Sequence, residues 1–236
     1  MSISTLEMNI KEDEAIAFVG DLHADLTGPS SRLDDYLHTC ISKLKSILNS
    51  CIAKKVKAVI FAGDMFSRIS VPHECVNAVG QAFMEFKKNN IRVFSIVGNH
   101  DIARNNIERL MKSPLKTLFT FEVVEHINLL NRIVINRKTL ITSVDYTEFP
   151  VPALERAKFN ILVAHMFYNC NEQYASGKHN IKQEDVLNWG YNSIWLGHDH
   201  VPYPLMQVGK TSIIRPGSVM RATSHEYNHN RIPQFY

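Results

Sequence analysis

Three short apolar runs, Ala15 to Gly20, Lys57 to Gly63 and Ile91 to Gly98, each end in a glycine and alternate with two longer amphipathic stretches. Each run reads as a buried strand that stops at a turn. Between the first two, Ser31 to Lys55 carries apolar residues at Leu33, Leu37, Ile41, Leu44, Ile47 and Leu48, a helical spacing. Pro72 to Lys88 is the second helical stretch, with its proline near the first turn, where the missing N–H costs nothing. Strand, helix, strand, helix, strand is the order of parallel βαβ units, so the chain is expected to be α/β.

The second half has a different texture. Phe119 to Val144 breaks into the short pieces FTFEVV, NRIVINR and KTLITSV, which suggest hairpins. Asn160 to Met166 and Ser193 to Asp199 are again buried strands that run into polar residues, and Tyr203 to Gln207 with Thr211 to Arg215 form a closing hairpin around Val208-Gly209-Lys210. No repeat or linker divides the 236 residues, so one domain over 1–236 is expected, with no capping domain. A content of 45% hydrophobic and 21% charged residues supports a proper core. The net charge of +3 neither demands a nucleic-acid partner nor excludes one. Cys40, Cys51, Cys75 and Cys170 form no CxxC pair, no signal peptide stands at the N-terminus, and no apolar run is long enough to cross a bilayer. A reduced cytoplasmic protein, neither secreted nor membrane-bound, is the expectation, or one of the host cytoplasm if the gene is a phage's.

The residues just past each strand carry the chemistry. The first strand runs into Asp21 and His23, the second into Asp64, the third into Asn99, His100 and Asp101, the fourth into His165, and the fifth into His198 and His200. In open α/β sheets the ligand crevice lies at the carboxyl ends of the strands, so all five clusters should meet on one edge. Singly, a Gly-Asp after a strand is most often a turn, but five such motifs in order point to one site. Carboxylate, amide oxygen and imidazole together suit divalent ions such as manganese, iron or zinc. Asp21 with His23, and His198 with His200, are two apart and can reach one ion from a turning strand end. Asp64 stands alone, as a bridging carboxylate would. His38, His73, His126, His179, His225 and His229 fall outside the pattern.

Asp21-x-His23, Gly63-Asp64, Gly98-Asn99-His100-Asp101, His165 and Gly197-His198-x-His200 resemble the full signature of calcineurin-like metallophosphoesterases. The resemblance implies a four-layer αββα sandwich of two mixed sheets with helices on both outer faces. It also implies two divalent metal ions, manganese first, with iron, zinc or magnesium as substitutes. Asp21, His23 and His200 would hold one ion, Asn99, His165 and His198 the other, and Asp64 would bridge them. By position and resemblance His100 is the general acid, since imidazole titrates near neutrality. Asp101 is expected to hydrogen-bond His100 and fix its tautomer, or to cap a helix starting near Ile102.

Three details are similar to the SbcD and meiotic-recombination-eleven group of DNA-repair exonucleases. Asp rather than Glu follows Gly98-Asn99-His100, the segment Arg215 to Asn228 matches that group after its last histidine, and one long helix separates Asp21 from Asp64. The resemblance implies a compact DNA exo/endonuclease, of phage type or a catalytic fragment, with DNA, an SbcC-type ATPase and a second copy of the chain as partners. Two departures stand out. Ser67 occupies the place of that group's histidine, and Arg68 resembles a protein-phosphatase arginine able to contact a phosphate. A small-molecule or cyclic-nucleotide phosphodiesterase, or a phosphoprotein phosphatase, is the alternative on the same metal site. Phe167 and Tyr168, after His165, are available to stack on bases.

Overall fold

The computed structural model of the protein describes residues 3–153, 157–169, 180–222 and 231–236. Cys170, His179, His225 and His229, most of the polar loop after Tyr168, and the end of the Arg215–Asn228 motif lie outside the described residues.

Two sheets face each other. The smaller has the order β2 (Ala15–Val19), β3 (Val56–Phe61), β4 (Arg92–Ser95), β5 (Glu125–His126) and is parallel throughout. The larger has the order β1 (Ser4–Met8), β6 (Asn131–Ile135), β7 (Thr139–Val144), β8 (Phe159–His165), β11 (Ser193–Gly197), β13 (Thr211–Arg215), β12 (Tyr203–Val208). It is mixed, with antiparallel pairs only at β6–β7 and β12–β13. The expectation of two mixed sheets is therefore corrected to one parallel and one mixed. The reason is in the connections: strands joined by tight turns must run antiparallel, while helix crossovers return the chain parallel. A two-stranded ribbon, β9 (Phe167–Asn169) with β10 (Asn180–Lys182), stands apart.

Side-chain alternation builds the layers. On β3, Ala58 and Ile60 face the larger sheet and, together with Phe18, Phe94 and Ile96 from their own side, meet its Ile133, Ile141, Ile161 and Val163. Val59 and Phe61 face the opposite way, into a core with α1 (Tyr36–Ala53) and α2 (His73–Lys88). On β8, Leu162 and Ala164 turn outward to Val186 and Trp189 of the short α4 (Gln183–Trp189). Helices thus cover both outer faces, in the expected αββα order.

Local chemistry sets the boundaries. α1 starts at Tyr36 rather than Ser31 because the Asp35 side chain accepts from the His38 N–H (2.9 Å) as its N-cap. Leu33, counted toward the apolar stripe, lies outside the helix and is fully exposed. α2 begins directly after Pro72, with Glu74 in its first turn and Lys87 and Lys88 in its last, as the helix dipole favours. FTFEVV forms no hairpin. Its start closes α3 (Pro114–Thr120), capped by Ser113, and Glu125–His126 adds to β4 in parallel. NRIVINR and KTLITSV do pair as the hairpin β6–β7, and the closing hairpin β12–β13 is also present. β1, from the polar N-terminal stretch, has no counterpart among the expected strands. Cys40, Cys51 and Cys75 are buried as free thiols.

Candidate metal centre

All nine residues singled out at strand ends come to one edge of the paired sheets. The loops after β2 and β3 are zipped together: the N–H groups of Leu22 and His23 donate to the Asp64 carbonyl (3.2 and 2.9 Å), and that of Ala24 to Met65 (3.0 Å). The third loop closes on them through the His100 N–H, which donates to Asp64 Oδ1 (2.8 Å). From the other sheet, the His198 N–H donates to both Asp21 oxygens at 3.1 Å.

The donor atoms cluster in two groups about Asp64. On one side His23 Nε2 lies 2.8 Å from His200 Nε2 and 3.9 Å from Asp21 Oδ2, and His200 Nε2 lies 3.7 Å from the same oxygen. On the other, His165 Nε2 lies 3.0 Å from Asn99 Oδ1 and 3.2 Å from His198 Nδ1. Asp64 Oδ2 stands between, 3.7 Å from His23 Nε2 and 3.2 Å from His165 Nε2.

Three observations test whether this arrangement fits cations. Among the described residues, no hydrogen bond reaches the buried Asp64 Oδ2, a cost that a buried carboxylate oxygen does not bear without another partner. His165 Nδ1 sits 2.7 Å from the Ala62 carbonyl and donates to it, so that in the neutral ring Nε2 is a lone pair aimed at the centre. Imidazole lone pairs also converge at His23 and His200, where two nitrogens at 2.8 Å gain a common partner from an ion. The donor set of oxygens and imidazoles suits divalent transition metals.

The electrostatics agree. Without a cation, burial and then the neighbouring Asp64 push the Asp21 carboxyl up to about 7, against the pull of His165. Burial pushes His23 down to about 3. Burial would also lower His165, but Asp64 and Asp21 raise it to about 9. Burial would raise Asp64, yet the surrounding histidines, His165 first, hold it well below the usual carboxylate range. Positive ions would relieve the crowded carboxylates and take the lone pairs together.

The backbone is bent to make this possible. His23, Asp64 and His198 adopt left-handed φ values of 54°, 45° and 81°, a region costly for residues with a Cβ. Gly98 and Gly197 hold the carboxylates at close quarters: a Cβ on Gly98 would come within 2.1 Å of Asp64 Oδ1, and one on Gly197 within 2.6 Å of Asp21 Oδ1. The segment after β13 forms a strap across the centre. The Ser218 N–H donates to the His200 carbonyl (3.2 Å) and the Val219 N–H to the Asp21 carbonyl (2.7 Å). Gly20 leaves room for it, since a Cβ there would overlap the Gly217 carbonyl oxygen.

Three expectations about individual residues change. Asp101 does not orient His100 and caps no helix. Its buried carboxylate accepts from the N–H groups of Gly98 (3.0 Å), Met65 (3.1 Å) and Phe66 (3.4 Å), bracing two of the loops. Burial and the adjacent Asp64 raise its pKa well above the carboxylate range, toward the neutral form. His100 is oriented by a backbone carbonyl instead: its Nδ1 lies 2.7 Å from Ser67 O, and its Nε2 faces Asp64 Oδ2 at 4.0 Å. Tyr168 is buried in the core beneath α4 and cannot reach a base, while Phe167 packs its ring 4.1 Å from that of His198. Arg68 lies near the centre with its guanidinium on the buried Asp25, at 2.9 and 3.0 Å.

The pattern described as calcineurin-like phosphoesterase matches residues 15–202, which contain all seven donors. The chain belongs to the calcineurin-like phosphoesterase family. Over 86 residues it is 30% identical to the DNA double-strand break repair protein Mre11 of Methanocaldococcus jannaschii, in a match covering 36% of this chain and 23% of that protein. The likeness to that curated relative thus spans about a quarter of its length. Among solved structures, a dimetal phosphatase from Danio rerio superposes with a TM-score of 0.55 at 11% identity, covering 86% of this chain and 87% of that one. The protein TT1561 of Thermus thermophilus gives 0.53 at 10% identity, over 86% and 89%. A putative 5'-nucleotidase from Staphylococcus aureus gives 0.55 at 12%, over 87% and 49%. At these identities the likeness carries the fold.

Two residues of this calcineurin-like centre have roles that the motifs do not announce. Ser67 holds both the His100 ring, through its carbonyl, and the His23 carbonyl, which its hydroxyl approaches at 2.9 Å. Tyr146 lies beside His165 and His198, with ring centroids 5.9 and 5.5 Å apart. A signal for Tyr146 existed: KTLITSV is one more apolar strand followed by Asp-Tyr, and its end lies beside that of β8. No helix among the described residues is long and apolar enough to cross a membrane.

Proposed function

We propose that the protein is a metal-dependent phosphodiesterase that cleaves DNA, with manganese the preferred ion. The observation that carries the reading is Asp64 Oδ2, buried and without a hydrogen bond between two sets of nitrogen and oxygen donors, with His100 Nε2 beside it at 4.0 Å. Asp21, His23 and His200 would hold one cation, Asn99, His165 and His198 the other, and Asp64 both. When bound, such a pair supplies Lewis acidity to the phosphoryl oxygens and lowers the pKa of an attacking water.

The chain's own groups do the rest. His100 is 43% exposed at its side chain, so its Nε2 can reach a leaving oxygen. With Nδ1–H committed to the Ser67 carbonyl, a proton on Nε2 points into the site and can pass to the departing alkoxide. Asp101 holds the Gly98 and Met65 turns in register, keeping His100 and Asp64 at working distance. The partial likeness to Mre11 supports DNA over a small diester as the substrate. A nucleotide phosphodiesterase on the same centre is the other outcome of the test.

The deciding experiment offers the manganese-loaded protein linear double- and single-stranded DNA beside bis-p-nitrophenyl phosphate. Degradation of DNA is the expected result. Turnover of the small diester with DNA left intact would sink the nuclease reading and keep the phosphodiesterase one.

A further inference from the structure

One more polar group borders the centre, on the side away from His100. Tyr146 follows β7 on the same sheet edge as His165 and is 9% exposed. Its ring lies tilted against His198 at 5.5 Å and edge-on to His165 at 5.9 Å. Its placement is fixed from two directions. The Tyr146 N–H donates to the Val97 carbonyl (2.8 Å), and the preceding Asp145 accepts from the Val97 N–H (2.8 Å). Val97 leads directly into Gly98-Asn99-His100, so the tyrosine is tied to the loop that carries a ligand and the proton donor. A phenol of ordinary acidity is protonated at neutral pH, so its hydroxyl can donate a hydrogen bond.

We propose that Tyr146 is a substrate-contacting residue whose hydroxyl donates a hydrogen bond to a non-bridging oxygen of the phosphate, on the flank formed by His165 and His198. The proposal rests on the phosphodiesterase reading above and extends it. His100 occupies the opposite flank, its ring 4.9 Å from that of His23. A phosphate seated over Asp64 then has a proton donor at one end and a neutral hydrogen-bond donor at the other. The two roles differ chemically. His100 serves the leaving oxygen, so its importance grows as the leaving group becomes a poorer one. Tyr146 serves charge that gathers on the phosphoryl oxygens, which every phosphate ester develops.

Tyr146→Phe keeps the ring that packs on the histidines and removes only the hydroxyl. The expected result is a fall in kcat/KM of about 10- to 100-fold, the same on DNA and on bis-p-nitrophenyl phosphate, as for a lost hydrogen bond to a charged oxygen. Inorganic phosphate should bind the manganese-loaded variant about tenfold more weakly by calorimetry, with two ions still bound per chain. Unchanged phosphate affinity and unchanged kcat/KM would overturn the proposal. So would loss of bound manganese, which would make the tyrosine a support for the histidines alone. If the wild-type protein binds phosphate but hydrolyses no diester, the phosphodiesterase reading fails, while the calorimetric comparison still decides the role of Tyr146.

Discussion

The two sheets contribute to the centre in different ways. The parallel sheet delivers both carboxylates of the donor cluster, Asp21 and Asp64, with His23, the amide Asn99 and His100, the proton donor of the proposed reaction, and it does so on loops that bond to one another through their backbones. The mixed sheet delivers imidazoles at or just past its strand ends, at His165, His198 and His200. Negative charge thus comes from one side alone, with His23 and Asn99 as neutral donors beside it, while the other side supplies only neutral donors. Neither sheet holds a complete set for either ion, so metal binding and sheet apposition support each other.

That division can be broken from either side. Asp64→Ala removes the one oxygen shared by both donor groups, and activity on any diester should fall by roughly 10³-fold or more, with bound manganese lost. Near wild-type turnover would sink the bridging assignment. His100→Ala should leave both ions bound. It should cost about 10²-fold or more on DNA, and far less on bis-p-nitrophenyl phosphate, whose leaving group needs no proton. An equal loss on both substrates would remove His100 from the role of acid.

On the imidazole side, Gly197→Ala pushes a methyl group toward Ala62 O and Asp21 Oδ1, each 2.6 Å away across the sheet junction. A destabilisation of about 1–3 kcal/mol is expected from denaturant unfolding, as for an overpacked core. The same change in Gly190, where a Cβ would meet nothing within 4 Å, lacks the clash and carries only the strain of a φ of 76°.

Acidity separates the two sides more gently. In the cation-free protein the folded pKa of Asp21, about 7 against 3.8 unfolded, and that of His165, about 9 against 6.5, are both raised. Their contributions are full at low pH and are lost on going up, for Asp21 between 3.8 and about 7 and for His165 between 6.5 and about 9. His23, lowered to about 3, acts in the opposite sense and only below 6.5. From near neutrality upward, then, the melting temperature without metal should fall. The increment from manganese should grow over the same range, reaching about 2.7 kcal/mol when the free ion is a hundredfold over its Kd. An increment that shrinks with rising pH would contradict the arrangement. Smallest of all, Arg68→Ala should raise KM for DNA by a few-fold with kcat unchanged, because the guanidinium is already held by Asp25. A change in kcat would make it part of the reaction.

Much of this was legible in the residues. β2, β3, β4 and the two helices between them could be read directly because each strand is buried on both faces and each helix shows one apolar stripe. All seven donors were visible because each sits at the end of such a strand. β1 and β5 were hidden for the complementary reason. Ser4–Met8 is mostly exposed, and Glu125–His126 is too short for any period to register. The roles of Asp101 and Tyr168 went astray because side-chain direction at a turn depends on backbone dihedrals that spacing does not encode. Asp101 turned inward to three N–H groups, while the Ser67 carbonyl, invisible in any motif, took its place beside His100.

The strap from Gly217 to Val219 bears on how the protein is made. It donates to the carbonyls of the first and last donors in the chain, Asp21 and His200, so the bracing of the pocket is completed only when the segment after β13 has been made. On the ribosome the parallel sheet emerges early and can pack with its helices, and the His100 N–H can already hold Asp64, while Asp21 waits for the His198 N–H and its backbone for the strap. A nascent chain halted before residue 217 should carry most of the motifs and retain no ion, so metal retention on stalled chains of increasing length would time the closing of the fold.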